Sequence, residues 1–140
     1  ISDFDESLKS VITSLIYTDV STKRVYFITL NQWFDDRLLK EDSSQNLYFP
    51  SINKKNYDNF SKLFFKKFNS YPNQISFLSY DLVGLIYHLA KKNNLENINK
   101  IFDQKNIFKG KTGIFEIKEK KISHILNFYK VENGKFIKIF

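Results

Sequence analysis

An α/β fold is predicted by three features of the sequence. A long helical pattern runs from Tyr71 to Asn93, a helical stripe near the amino terminus is followed by a short β-branched run, and the chain closes on a hairpin signal. In the first of these, Tyr71-Pro72-Asn73 marks a turn. Ile75, Leu78, Leu82, Ile86 and Leu89 then recur at spacings of three and four, which is one face of an α-helix. Phe77, Val83, Leu85 and Tyr87 widen that stripe beyond the needs of a surface helix, so this helix is expected to be buried on most sides and central to the fold. Gly84 in its interior costs about 1 kcal/mol against Ala and marks an expected point of close packing.

The other elements follow in order. Asp3 or Asp5 can cap a helix starting near Glu6, with Leu8, Val11, Ile12, Leu15 and Ile16 as its apolar stripe. Arg24 to Leu30, RVYFITL, is short and apolar almost throughout, which predicts a buried strand of the kind found in parallel sheets; a helix followed by such a strand is half of a βαβ unit. A short helix is expected from Asp35 to about Glu41, a short strand at Leu47–Phe49 ended by Pro50, and a helix from about Asn56 to Phe68 with Tyr57, Phe60, Phe64 and Phe68 on one face. Leu95, Ile98, Ile101 and Phe102 suggest a smaller helix. Gly113 to Ile117 and Ile122 to Val131 are expected strands, and Asn133-Gly134 is a strong hairpin signal before the strand Phe136–Phe140.

Composition bounds the function. With 140 residues, 42% hydrophobic and 17% aromatic, the chain can bury a core and is not of a disordered composition. No run is long enough to span a membrane as a helix, and no signal peptide is evident. The chain holds no Met and begins mid-pattern at Ile1-Ser2-Asp3, which predicts a piece of a longer or processed protein. The absence of Cys removes disulfides, thiolate catalysis and thiolate metal sites. The net charge of +7 rests on lysine, with Arg24 and Arg37 the two arginines; specific phosphate readers favour arginine on one face, so a nucleic-acid-binding protein using its lysine-rich surface is the alternative rather than the leading reading.

Candidate sites are few. In an open parallel sheet, the loop at the carboxyl end of a strand faces the ligand crevice. Here that loop carries Asn31, Gln32 and Trp33, two amides beside a flat ring with one N–H donor, and these three residues are the expected ligand contacts, with a buried structural tryptophan the alternative for Trp33. Asp35 and Asp36 are adjacent at a helix start, where they better serve the helix terminus than a carboxylate pair. His88 and His124 have no third partner at metal spacing, so no metal is expected. The four glycines fit no phosphate loop or dinucleotide spacing, and Ser76 and Ser79 lack a nucleophile's context, so neither a cofactor nor an enzyme is expected. Lys62-Leu63-Phe64-Phe65-Lys66-Lys67-Phe68 interleaves lysine with phenylalanine; a nucleic-acid or membrane surface is one reading, and an amphipathic helix with solvated lysines is the preferred one.

The order of motifs resembles the carboxyl-terminal half of type I periplasmic binding proteins, the family of leucine/isoleucine/valine-type receptors. Pro72 through Ala90, with Ser79-Tyr80-Asp81-Leu82-Val83, resembles that family's helix after a proline turn. Phe108-Lys109-Gly110-Lys111-Thr112-Gly113 resembles its F-x-G-x-T-G turn, and Asn127 to Ile139 its final hairpin. Asn31 to Asp36 followed by Leu47-Tyr48-Phe49-Pro50 is similar to the penicillin-binding protein activator branch, envelope lipoproteins that regulate peptidoglycan synthases. The resemblance implies a three-layer, two-lobed architecture in which 1–46 and 123–140 belong to one lobe and 47–122 to the other, with an amino-terminal half missing. It also implies a non-enzymatic, periplasmic binding module that closes on a small polar ligand or engages a peptidoglycan synthase, with no nucleic acid among its partners. Its membrane contact would be only through a lipid anchor upstream, and a second copy of the chain could stand in for the missing half. Two departures stand out. Asn31 and Gln32 occupy the place where an acidic residue would hold the ligand ammonium, which counts against amino-acid binding. The usual glycine after Ile117 is replaced by Lys118-Glu119-Lys120-Lys121, which fits a surface hairpin but departs from the family's motif.

Overall fold

A computed structural model describes residues 1–3, 5–20, 22–30, 34–93 and 105–140. The expected helix around Leu95–Phe102 lies outside the described residues. The described elements run α1 (Asp5–Tyr17), β1 (Phe27–Ile28), two short 3-10 helices (Asp36–Lys40 and Asp42–Ser44), β2 (Leu47–Ser51), α2 (Lys54–Phe68), α3 (Gln74–Asn93), β3 (Asn106–Lys109), β4 (Ile114–Lys118), β5 (Lys121–Ile125), β6 (Asn127–Glu132) and β7 (Lys135–Lys138). The fold class is α/β. The chain divides into two compact units, Ile1–Ser51 with Asn127–Phe140, and Ile52–Leu126.

In the first unit a four-stranded sheet has the order β1-β2-β6-β7. β1 is parallel to β2, and the β2–β6 and β6–β7 pairs are antiparallel. Strand periodicity puts Leu47, Phe49, Tyr129 and Val131 on one face, and all four are buried. Phe34 joins them, edge-on to Phe49, Tyr129 and Phe136 at centroid separations of 6.1, 4.9 and 5.3 Å, geometry that the ring quadrupoles favour. The expected strand over Arg24–Leu30 is therefore corrected. Only Phe27 and Ile28 pair, and burial alternates: Phe27 and Thr29 are buried while Tyr26, Ile28 and Leu30 are exposed. A continuous apolar run implied cover on both faces of the sheet, and in β1 burial falls on one face among the described residues. Pro50 does not end β2; it pairs with Phe128. A proline removes a ladder donor, and β1 pairs with β2 only at Leu47 and Tyr48, so one side of β2 has no partner strand at Pro50 among the described residues.

In the second unit, Asn53 caps α2 by accepting from the Asn56 amide at 3.1 Å, and Asn69 ends it in the left-handed region at φ 52°. Asn73 caps α3 through Ser76 at 2.9 Å. The two helices meet through aromatic rings: Tyr57 stacks on Phe77 at 5.1 Å, and Phe60 lies 4.3 Å from the same ring. β3, β4 and β5 form an antiparallel sheet in that order. Its inner face meets α3, where Leu85 and Leu89 pack with Ile117 and Phe108.

Two sequence expectations change here. The run Ile122–Val131 is not one strand: it breaks at Leu126, β5 pairing with β4 and β6 with β2. The expected face of α3 is also displaced. The buried side chains are Phe77, Asp81, Leu85 and Leu89, while Ile75, Leu78, Leu82 and Ile86 are exposed, and so are Val83 and Tyr87. An apolar stripe running round most of a helix does not say which sector meets the core, and the sector chosen is the one that holds Asp81. The terminal hairpin is as the sequence predicts: Asn133 and Gly134 have φ of 50° and 67°, a type I′ pattern, between the paired Glu132 and Lys135.

Candidate functional site

Asn31, Gln32 and Trp33 lie outside the described residues, but the frame on either side of them is well defined. On the entering side, Thr29 is buried and its amide donates to the Tyr48 carbonyl at 2.9 Å, extending the parallel register of β1 and β2. On the leaving side, Phe34 is locked in the aromatic cluster of the sheet. Asp35 then caps the first 3-10 helix: its carboxylate accepts from the Arg37 amide at 2.9 Å and from Arg37 Nε at 2.9 and 3.0 Å. Arg37 reaches on to Glu6 of α1 at 2.8 Å, and Lys9 of α1 pairs with Glu41 at 2.9 Å. Burial alone would raise the Asp35 pKa, but the Arg37 side-chain and backbone bonds and the Arg37 charge hold it below its ordinary value. The buried described residues nearest to 31–33 are thus Thr29, at the strand end, and Phe34, with the 3-10 helix that follows braced against α1.

A second constellation joins two motifs that the sequence displays separately. Asp81, on the core face of α3, is 4% exposed. One carboxylate oxygen accepts from the Lys111 amide at 2.7 Å; the other accepts from the Thr112 amide at 2.6 Å and the Thr112 hydroxyl at 2.5 Å. The turn between β3 and β4 is closed by the Gly110 amide donating to the Gly113 carbonyl at 2.8 Å. Both glycines are required. A Cβ on Gly110 would stand 2.5 Å from the Asp81 carboxyl carbon, and Gly113 has φ 149° with His124 Nε2 only 2.8 Å from where a Cβ would be. Gly84 also meets its expectation of close packing, since its missing Cβ would touch the Phe108 ring at 3.3 Å.

Beside this clamp is a groove of about 360 Å³ between Asn56, Tyr80, Gly84, Phe108, Lys109 and Lys111. The Asp81 carboxylate accepts three hydrogen bonds, two from backbone amides and one from a hydroxyl, and so fixes the backbone of the turn against α3. His124 completes it. Its ring stacks on Phe115 at 4.2 Å and its Nε2 lies 3.3 Å from the Thr112 carbonyl. Burial lowers the His124 pKa, against the opposing pull of the Thr112 carbonyl and the Asp81 charge. The signal that could have joined these motifs beforehand is an acidic residue on the apolar face of a helix together with a glycine-bounded turn rich in free amides. Among the described residues no group of three His, Asp or Glu side chains could hold a metal ion, and no helix is long and apolar enough to cross a membrane.

No protein-family model matches the chain, and no curated protein sequence matches it. Solved structures do. An extracellular ligand binding receptor from Desulfohalobium retbaense superposes on 98% of this chain with a TM-score of 0.69 at 15% identity, using 25% of its own length. A branched-chain amino acid ABC transporter protein from Rhodospirillum rubrum matches 80% of this chain at TM-score 0.66 and 14% identity, using 36% of its length. The leucine binding protein LivK from Thermotoga maritima matches 97% at TM-score 0.51 and 17% identity, using 48% of its length. The chain therefore spans less than half the length of the structures it matches. At this level of identity the shared property is the fold, an α/β fold similar to that of type I periplasmic binding protein domains.

Proposed function

We propose that this chain is part of a non-enzymatic binding module of the bacterial cell envelope, with Asn31, Gln32 and Trp33 as ligand contacts. The observation that carries the reading is the superposition of nearly the whole chain on an extracellular ligand binding receptor; in sequence, residues 31–33 follow closely on β1, which pairs in parallel with β2. The two compact units are the shares that this chain contributes to two lobes, and an amino-terminal half lies outside it. The bare sector of α3 supports this, because Ile75, Leu78, Leu82 and Ile86 form an uncharged stripe that soluble proteins seldom leave in water. Within the family, the pattern from Asn31 to Asp36 favours the penicillin-binding protein activator branch over amino-acid receptors. The amides at 31 and 32 provide neutral hydrogen bonds to a polar ligand rather than a counter-charge for an ammonium. A lipoprotein that regulates a peptidoglycan synthase is the corresponding finer function.

Trp33 is the single tryptophan of the chain, so its fluorescence reports this loop alone. Titration with leucine, isoleucine, valine and soluble peptidoglycan fragments is expected to shift Trp33 emission for the fragments and not for the amino acids, and Asn31→Ala with Gln32→Ala is expected to abolish the shift. Emission unchanged by every one of these ligands, together with no retention of a peptidoglycan synthase on the immobilised chain, would overturn the proposal.

A further inference from the structure

The carboxyl-terminal half of α2 does not behave as a solvated amphipathic helix. Such a helix buries its aromatic residues and leaves its lysines in water. Here Leu63 is 63% exposed, Phe68 56% and Tyr71 76%, and Phe65 is exposed as well, its ring 4.9 Å from Tyr71. Lys62, Lys66 and Lys67 stand among these apolar side chains, all three exposed, with the Lys67 ammonium 5.4 Å from the Phe68 ring centroid. From Asn59 to Tyr80 the sequence contains no acidic residue. The end of α2 and the turn after it therefore present a cap of exposed aromatic and aliphatic side chains ringed by positive charge and interrupted by no negative one.

We propose that this cap docks on an anionic lipid surface. The residue types match the demands of the bilayer–water interface: rings and leucine enter the acyl boundary, while lysine stems lie along apolar surface and carry their ammonium groups to the phosphates. Charge complementarity selects a lipid over an apolar protein groove, since three lysines in a segment, 59–80, that holds no acid need their negative charge from the partner, which lipid phosphates supply and an apolar groove does not. Exposed Leu63 and Phe68 select a lipid over a nucleic acid, which would take the lysines but gives an aliphatic side chain nothing to enter. The docking is independent of the loop at 31–33 and adds a direct membrane contact to the proposed envelope role.

The 140-residue chain is to be centrifuged with sucrose-loaded vesicles of phosphatidylglycerol and phosphatidylcholine, with vesicles of phosphatidylcholine alone, and mixed in parallel with a labelled DNA duplex. Binding to the anionic vesicles is expected, weakened by salt and much weaker on neutral ones. Each lysine near an anionic surface contributes about fivefold in partitioning, so Lys62→Gln/Lys66→Gln/Lys67→Gln is expected to lose roughly a hundredfold. That variant leaves the buried face of α2 untouched. Leu63→Ser with Phe68→Ser is expected to weaken vesicle binding at unchanged far-ultraviolet circular dichroism. Failure to bind anionic vesicles overturns the proposal. So does vesicle binding that survives both variants, or DNA binding that matches the vesicle affinity and depends on the lysines alone.

Discussion

Each unit of the chain has a carboxylate that fastens one element to the next, and the two are built from opposite physics. In the first unit Asp35 and Glu6 hold Arg37 near the surface, where the Glu6 and Arg37 side chains are 65% and 55% exposed. In the second, Asp81 is buried and holds two backbone amides and a hydroxyl of the β3–β4 turn. Water can replace either partner of the first pair at little cost, whereas the amides of Lys111 and Thr112 have no equivalent alternative once the helix covers them. Surface ion pairs contribute about 0–1 kcal/mol; a buried donor stripped of its acceptor costs about 1–3 kcal/mol. The same side-chain chemistry thus braces a 3-10 helix against α1 in one unit and fixes a turn of the sheet in the other.

The largest effect is expected from Asp81→Ala, which strips the acceptor from two amides and a hydroxyl at once. A loss of about 3–5 kcal/mol is anticipated in urea unfolding followed by far-ultraviolet circular dichroism. A loss below about 1 kcal/mol would equate the buried clamp with the surface one. A smaller gain is expected at the β4–β5 turn. Glu119 and Lys120 both adopt positive φ, 51° and 61°, a type I′ pattern built from residues that pay for it. Glu119→Asn with Lys120→Gly is expected to stabilise the chain by about 1 kcal/mol; an unchanged denaturation midpoint would show that the turn is not strained. Smaller still is the surface brace. Arg37→Gln is expected to lower stability by about 0.5 kcal/mol at low salt and by less at about 1 M salt. Its folded-state Asp35 pKa lies below the unfolded value, so the contribution is present above the unfolded pKa and vanishes as pH falls through the folded one. A salt-independent loss would mean that Arg37 acts through packing of its stem instead.

The difference between the units also explains what the sequence made legible. Elements defined by local chemistry were readable: the Asn133-Gly134 hairpin, the extent of α3 and the glycine-bounded turn at 110–113 all follow from residues close in the chain. Partner choice was not. Ile122–Val131 has uniform β character, so nothing local marks Leu126 as the point where the chain leaves one sheet for the other. α3 carries apolar side chains over most of its surface, and its orientation is set by Asp81 reaching a turn 30 residues away. The candidate loop was named from its position after a strand. What the structure describes is its neighbours, Thr29 and Phe34, whose burial depends on pairing with β2 and on the aromatic cluster.

The smallest expected effect tests whether the buried clamp extends to His124. This ring is half-buried against Phe115 and approaches the carbonyl of the same Thr112 whose amide and hydroxyl serve Asp81. Burial lowers its folded-state pKa despite the favourable carbonyl and the Asp81 charge. The unfolded chain therefore binds the proton first as pH falls. Stability is whole above the ordinary histidine value of about 6.5 and declines as pH drops through it, until the folded imidazole is protonated too. His124→Gln keeps an N–H able to donate to the Thr112 carbonyl but does not titrate. It is expected to flatten the decline between about pH 7.5 and pH 5 while leaving stability at the upper pH nearly unchanged. A decline of equal steepness in the variant would place the titration elsewhere and sever His124 from the clamp.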